Sequence, residues 1–136
     1  MKADIDTSTT KAILDTNALM VPEQFGVDIF GELLRLGYSD WLVPASVLGE
    51  LRSLAMRADK GKDKIAARVA LGMAEGCNAV GEDDHNADQA IIELALETGA
   101  AVFTNDKALK KRLFSKGITV IYLRQGQYLE ASKKEY

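Results

Sequence analysis

Ala12-Ile13-Leu14-Asp15-Thr16-Asn17 is the stretch on which the reading of this chain turns: three apolar residues, then an acid and two small polar side chains. So short and unbroken an apolar run suits a strand buried on both faces, as in a parallel sheet. The pattern returns at Ala101-Val102-Phe103-Thr104-Asn105-Asp106. Parallel strands end at one edge of their sheet, where ligands bind, so Asp15 and Asp106 are expected to face a common crevice. Working outward, Phe25, Ile29, Leu33 and Leu36 recur at helical spacing and predict a helix over residues 23–37, with Gly37 as its cap. Trp41-Leu42-Val43 reads as a strand, and Pro44 opens a helix whose apolar stripe is Val47, Leu48, Leu51, Leu54 and Ala55. Further helices are expected over residues 60–74, 86–98 and 107–117, with strands near 77–80 and 118–123. Strands alternating with amphipathic stretches give an α/β fold with a parallel sheet of about five strands.

The 136 residues make one ordinary domain, placed at 11–125 between tails at 1–10 and 126–136. With 47% hydrophobic and 27% charged residues the chain is globular rather than disordered. Seventeen basic residues against 20 acidic ones give a net charge of -3, which excludes a protein that coats nucleic acid by bulk positive charge. No apolar run approaches a membrane span, and the single cysteine, Cys77, excludes both a disulfide framework and a cysteine-cluster zinc site. A cytoplasmic protein with no membrane partner is the expectation.

Four acids stand where folding alone would not choose them. Asp15 and Asp106 follow strands, although aspartate is also an ordinary turn and cap residue there. Asp88 shares a helix face with Ile91, Ile92 and Ala95, so its carboxylate is expected to be partly desolvated. Glu50 borders the apolar stripe of its helix, one turn from Val47 and Leu54. Should the four converge, like charges raise one another's pKa and a cation relieves them. Oxygen-only ligands suit Mg²⁺ or Mn²⁺, ions that serve in-line phosphodiester hydrolysis. Of the polar neighbours Thr16, Asn17, Thr104 and Asn105, we expect Asn17 and Thr104 to orient the carboxylates.

Leu14-Asp15-Thr16-Asn17, Val43-Pro44 through Glu50-Leu51, Ala87-Asp88 with Ile91-Ile92, and Thr104-Asn105-Asp106, in this order over residues 11–123, resemble the motifs of PIN-domain nucleases. The resemblance implies a three-layer α/β/α sandwich and metal-dependent RNA cleavage by Asp15, Glu50, Asp88 and Asp106 as catalytic and metal-ligating acids. A homodimer is also expected by resemblance. Residues 104–110 with the final Val120-Ile121-Tyr122 look most like the members that process ribosomal RNA, whose partners would include ribosome-assembly proteins. Toxin ribonucleases of the VapBC type, each held by a small antitoxin, are the alternative.

Basic residues gather as Lys107, Lys110, Lys111, Arg112 and Lys116, with no acid among them, and as six more between Arg52 and Arg68. We expect Lys107, Lys110, Lys111 and Arg112 to hold RNA phosphates. Tyr122, Tyr128 and Tyr136 offer rings of the kind that stack on unpaired bases, but Tyr122 reads rather as a strand residue and the other two as parts of a tail or a subunit contact. Cys77, Phe25, Phe30 and Trp41 are core candidates, and His85 a helix-entry residue. Setting the four acids aside turns the formal charge from -3 to +1, so a weakly acidic chain is compatible with a nuclease. Two other classes compete: a flavodoxin- or receiver-like phosphate-dependent domain, and a metal-independent RNA chaperone or assembly factor.

Overall fold

The computed structural model describes residues 10–57, 61–81 and 86–132. The expected N-terminal tail, save Thr10, lies outside these residues, as do Lys60, His85 and Tyr136. In chain order the elements are β1 (Lys11–Leu14), α1 (Thr16–Phe25), α2 (Ile29–Arg35), β2 (Asp40–Pro44), α3 (Ala45–Met56), α4 (Gly61–Ala74) and β3 (Asn78–Val80). They continue as α5 (Ala87–Thr98), β4 (Ala101–Phe103), α6 (Lys107–Ser115), β5 (Val120–Arg124) and β6 (Tyr128–Ser132).

The strands form one sheet in the order β3-β2-β1-β4-β5-β6. Five are parallel, and β6 alone runs antiparallel, against β5. The apolar runs read from the sequence occupy its middle: Ala12, Ile13, Leu14, Val102 and Phe103 are wholly buried. Helices flank this sheet. α1, α3 and α4 pack on one another, α5 lies against β1, β2 and β4, and α6 covers β5. The core joins both sides, from Leu19, Leu33 and Leu51 to Ile91, Ile92, Leu109 and Leu113. The chain steps from β1 to β2 and β3 in one direction, then returns to place β4 on the other side of β1. That reversal between β1 and β4 is the position at which open α/β sheets form their ligand crevice.

Two segments differ from the sequence expectation. The helix expected over residues 23–37 is two helices. Gly26 takes the left-handed conformation (φ 70°) that ends α1, and the Asp28 carboxylate accepts the Gly31 N–H to start α2. Phe25, expected in the core, consequently ends α1 at the surface and is 53% exposed, whereas Phe30 and Trp41 pack with ring centroids 4.5 Å apart. The segment read as a C-terminal tail from residue 126 contributes a sixth strand. Its buried anchor is Leu129, whose backbone N–H donates to Glu32 Oε1 (3.0 Å) and whose carbonyl accepts from Arg35 Nη2 (2.8 Å). α2 thus takes up the outward-facing backbone groups of this edge strand at Leu129. Leu129→Ala is expected to cost about 2–5 kcal/mol in urea unfolding, the range for a buried leucine; a detached tail would show no such loss.

Candidate active site

Asp15 stands at the junction of the two central strands. Its backbone N–H continues the ladder to Phe103 O (3.2 Å), and its side chain caps α1 through the Thr16 N–H (2.5 Å). The other carboxylate oxygen accepts the Thr104 hydroxyl at 2.5 Å. Thr104 is fully buried, and its Oγ1 in turn accepts the Asp106 N–H (3.1 Å). One hydroxyl therefore ties together the acids at the ends of β1 and β4. Asp106 caps α6, its Oδ1 accepting the N–H groups of Ala108 (2.9 Å) and Leu109 (3.2 Å). Across the crevice, Thr16 Oγ1 donates to Glu50 Oε1 at 2.6 Å, bringing α3 to the same edge. α5 touches α3 as well as the sheet and carries Asp88 half-buried, one turn before Ile91 and Ile92.

Neighbouring acids raise the pKa of Asp15 and Asp88. Asp15 is pushed from 3.8 up to about 6, chiefly by burial, against the hydrogen bonds of Thr104 and Thr16, with Asp88 and Glu50 adding repulsion. Asp88 is also raised: burial leads, then Asp106 and Glu50 repel it, while the Arg112 guanidinium partly offsets them. None of the four acids takes an ion pair within 4.0 Å among the described residues. Asp106 Oδ2, Glu50 Oε2 and both oxygens of Asp88 accept no hydrogen bond there either.

Among the described residues no three acids are gathered into a preformed cage for an ion. Mg²⁺ needs no such cage, since it retains several waters and takes one or two carboxylates directly. The donor set fits a hard divalent cation: oxygen only, negative in sum, repelled within itself and free of cationic clamps. A further polar atom points the same way. Ser46 Oγ, buried one helical turn before Glu50, has no hydrogen-bond partner among the described residues. A buried orphan of this kind is what an ordered water or ion satisfies.

The other expected residues divide. Thr104 contacts an acid directly, whereas Asn17 does not: its Oδ1 accepts the Asn105 N–H (3.3 Å) and braces the loop after β4. Asn105 Oδ1 completes this brace by accepting the Leu123 N–H (2.8 Å). Thr16, given less weight in the sequence, is the residue that reaches Glu50. On α6, Lys107 and Lys111 are exposed, and Lys110 Nζ lies 4.0 Å from the centroid of the Tyr122 ring. Arg112 donates to Gln89 Oε1 (3.0 Å) on α5, so its charge is spent near Asp88. Gln89 and Ser46 were missed by the sequence reading; their positions one residue after Asp88 and four before Glu50 were the available signals.

A family model described as a PIN like domain matches residues 12–126. Ribonuclease VapC9 of Archaeoglobus fulgidus is 40% identical over 114 residues, covering 84% of this chain and 83% of its own. Ribonuclease VapC4 of Methanocaldococcus jannaschii is 32% identical over 124 residues, covering 88% and 95%. Among solved structures, the PIN domain endonuclease Utp24 superposes with a TM-score of 0.72 at 24% identity, over 90% of this chain and 91% of that one. At that identity it attests the fold. The family model spans most of the sequence, and both relatives match along most of their own length: this chain belongs to the PIN-like domain family.

Proposed function

We propose that the protein is a metal-dependent endoribonuclease that hydrolyses phosphodiester bonds in single-stranded or looped RNA, with Asp15, Glu50, Asp88 and Asp106 as its acids. The observation that carries this reading is the buried Asp15 carboxylate, raised to about 6 beside two further acids and without a cationic partner among the described residues. The four acids would hold Mg²⁺ or Mn²⁺, which when bound supplies an activated water and stabilises the leaving oxygen. Thr104 fixes the Asp15 carboxylate and Thr16 fixes Glu50, which holds these two acids in defined orientations. Lys107 and Lys111, exposed on the helix that Asp106 caps, are placed to take flanking phosphates. Lys110 and Arg112 act on that helix as well, Arg112 by tempering the charge around Asp88.

Of the finer roles, the toxin assignment is supported by the VapC names of both relatives, and a small antitoxin is the partner it implies. Ribosomal RNA processing rests on the likeness of residues 104–110 and 120–122 to that branch. Growth arrest on expression of the chain alone, relieved by Asp15→Asn, is the outcome expected of a toxin; undisturbed growth favours processing.

In vitro, the pure protein is expected to cleave single-stranded RNA with Mn²⁺, and Asp15→Asn to abolish cleavage; equal activity in both would sink the assignment. Thr104→Val keeps the shape of a fully buried side chain and removes only its hydroxyl. It should lower activity or metal affinity by about 10–100-fold, the usual effect of removing a group that orients a ligand.

The raised Asp15 pKa sets a pH dependence. In the unfolded chain the carboxyl ionises near 3.8, in the folded one near 6, so the folded state binds more protons between these values. Stability in EDTA should therefore fall as pH rises through that window, by roughly 3 kcal/mol from this group. Asp15→Asn should flatten this decline, and Mn²⁺ should raise the melting temperature of the wild type but not of the variant at pH 8.

A further inference from the structure

A groove beside the acids is left unused by the cleavage chemistry. It has a volume of about 370 Å³ and is lined by Phe25, Asn105, Lys107, Lys110, Tyr122 and Leu123. That lies within the roughly 300–1,000 Å³ typical of small-molecule sites. Asn105 falls between Thr104 and Asp106, so the groove starts one residue from the acids.

Its chemistry is mixed in an unusual way. Phe25 is a large aromatic side chain left 53% exposed at the end of α1. The ring rests on the bare backbone of Gly126, where φ is 67° and an added Cβ would stand 3.6 Å from Phe25 Cδ1. Support from the turn between β5 and β6 steadies the ring while leaving it open to the groove. Tyr122 is held by its hydroxyl, which donates to Glu130 Oε1 (3.1 Å), and the Lys110 ammonium lies 4.0 Å from its ring centroid. The Asn105 carbonyl oxygen is occupied by the Leu123 N–H, which leaves the side-chain NH₂ free to donate among the described residues. Among the described residues no acid lines the groove, although acids outnumber bases in the chain.

A stacking face, two ammonium groups and a free amide donor together match one nucleotide: a π-face to stack, an anionic phosphate and polar base edges. An apolar peptide would use the rings but gain nothing from two lysines. We propose that this groove is a subsite for a single unpaired nucleotide flanking the scissile phosphate, with its base against Phe25 and its phosphate at Lys107 and Lys110. The proposal rests on the ribonuclease reading and specifies how that site selects unpaired RNA. Stacking accepts any base, so the subsite discriminates against duplex rather than between sequences.

The test is binding of a fluorescein-labelled, mixed-sequence RNA pentamer in EDTA, read by anisotropy, so that it does not depend on cleavage. Phe25→Ala should weaken binding about tenfold or more, and Phe25→Leu, apolar without a π-face, should weaken it nearly as much. Phe25→Trp should keep the affinity, as should Leu96→Ala, a control at an exposed leucine on α5. Lys110→Gln should reduce the slope of log affinity against log salt by about 0.7, one phosphate contact on a single strand, whereas Phe25→Ala should leave that slope intact. Wild-type affinity in Phe25→Ala overturns the subsite, and so does wild-type affinity in Phe25→Leu, which would mark an apolar docking face for protein. Cleavage that needs Asp15 but ignores Phe25, with pentamer affinity unchanged, removes the subsite and keeps the nuclease. Phe25-dependent binding without metal-dependent cleavage keeps the subsite and removes the nuclease.

Discussion

The parallel pairing of β1 with β4, in which Leu14 lies opposite Phe103, is the constraint from which the site follows. One residue beyond that pair, the next side chains are Asp15 and Thr104, and they meet at 2.5 Å. Neither position is free to drift, because Asp15 N–H is bound to Phe103 O and Thr104 N–H to Ile121 O (3.0 Å). The Thr104 hydroxyl passes this fixed geometry on to Asp106, whose carboxylate starts α6. A slip of one residue in the β1–β4 register would turn Thr104 away from Asp15 and separate the acids. Register, which the apolar core fixes, is thus also what aligns the carboxylates.

The same junction is where the fold carries its electrostatic penalty. Raising an aspartate from 3.8 to about 6 corresponds to roughly 3 kcal/mol against its ionisation. Domains of this size are typically stable by only about 5–15 kcal/mol, so the penalty is substantial. It is borne because the Thr16 N–H and the Thr104 hydroxyl offset part of the desolvation and because Ala12, Ile13 and Leu14 anchor the strand in the core. Among the described residues Arg112 is the cation that offsets this field at Asp88, and it is directed there by Gln89 rather than by an ion pair within contact distance. Sites that crowd like charges and withhold counter-charges are poised for a cation, since binding one returns the free energy lost to repulsion.

Much of this was legible in the sequence because two short-range signals were clean. An apolar run stopped by an acid marks a strand end, and it did so at both Asp15 and Asp106. Helical spacing put Asp88 on the face of Ile91, Ile92 and Ala95, and all three of these are buried. What escaped depends on partners distant in the chain. Thr16 reaches Glu50 across 34 positions, and no local pattern distinguishes it from Asn17, which braces Asn105 instead. Phe25 fits the spacing of a core helix, but spacing does not register that Gly26 ends the helix there. β6 was read as tail because it lies at the end of the chain; Leu129 in it is held by Glu32 and Arg35, almost a hundred residues earlier.

α6 joins the two halves of the site in one rigid piece. Its cap is an acid of the crevice and its first residues are bases of the groove, so the spacing between them is set by helical geometry rather than by loops. A helix N-terminus already favours negative charge, which suits the Asp106 carboxylate and an RNA phosphate alike. The net charge of -3 sums over the whole chain and hides this local division. Asp15, Glu50, Asp88 and Asp106 repel one another at the sheet edge, where a cation would offset them, while the neighbouring groove has no acid among its described lining residues and carries Lys107 and Lys110. A phosphate at this groove would meet that local charge at short range rather than the sum over the chain.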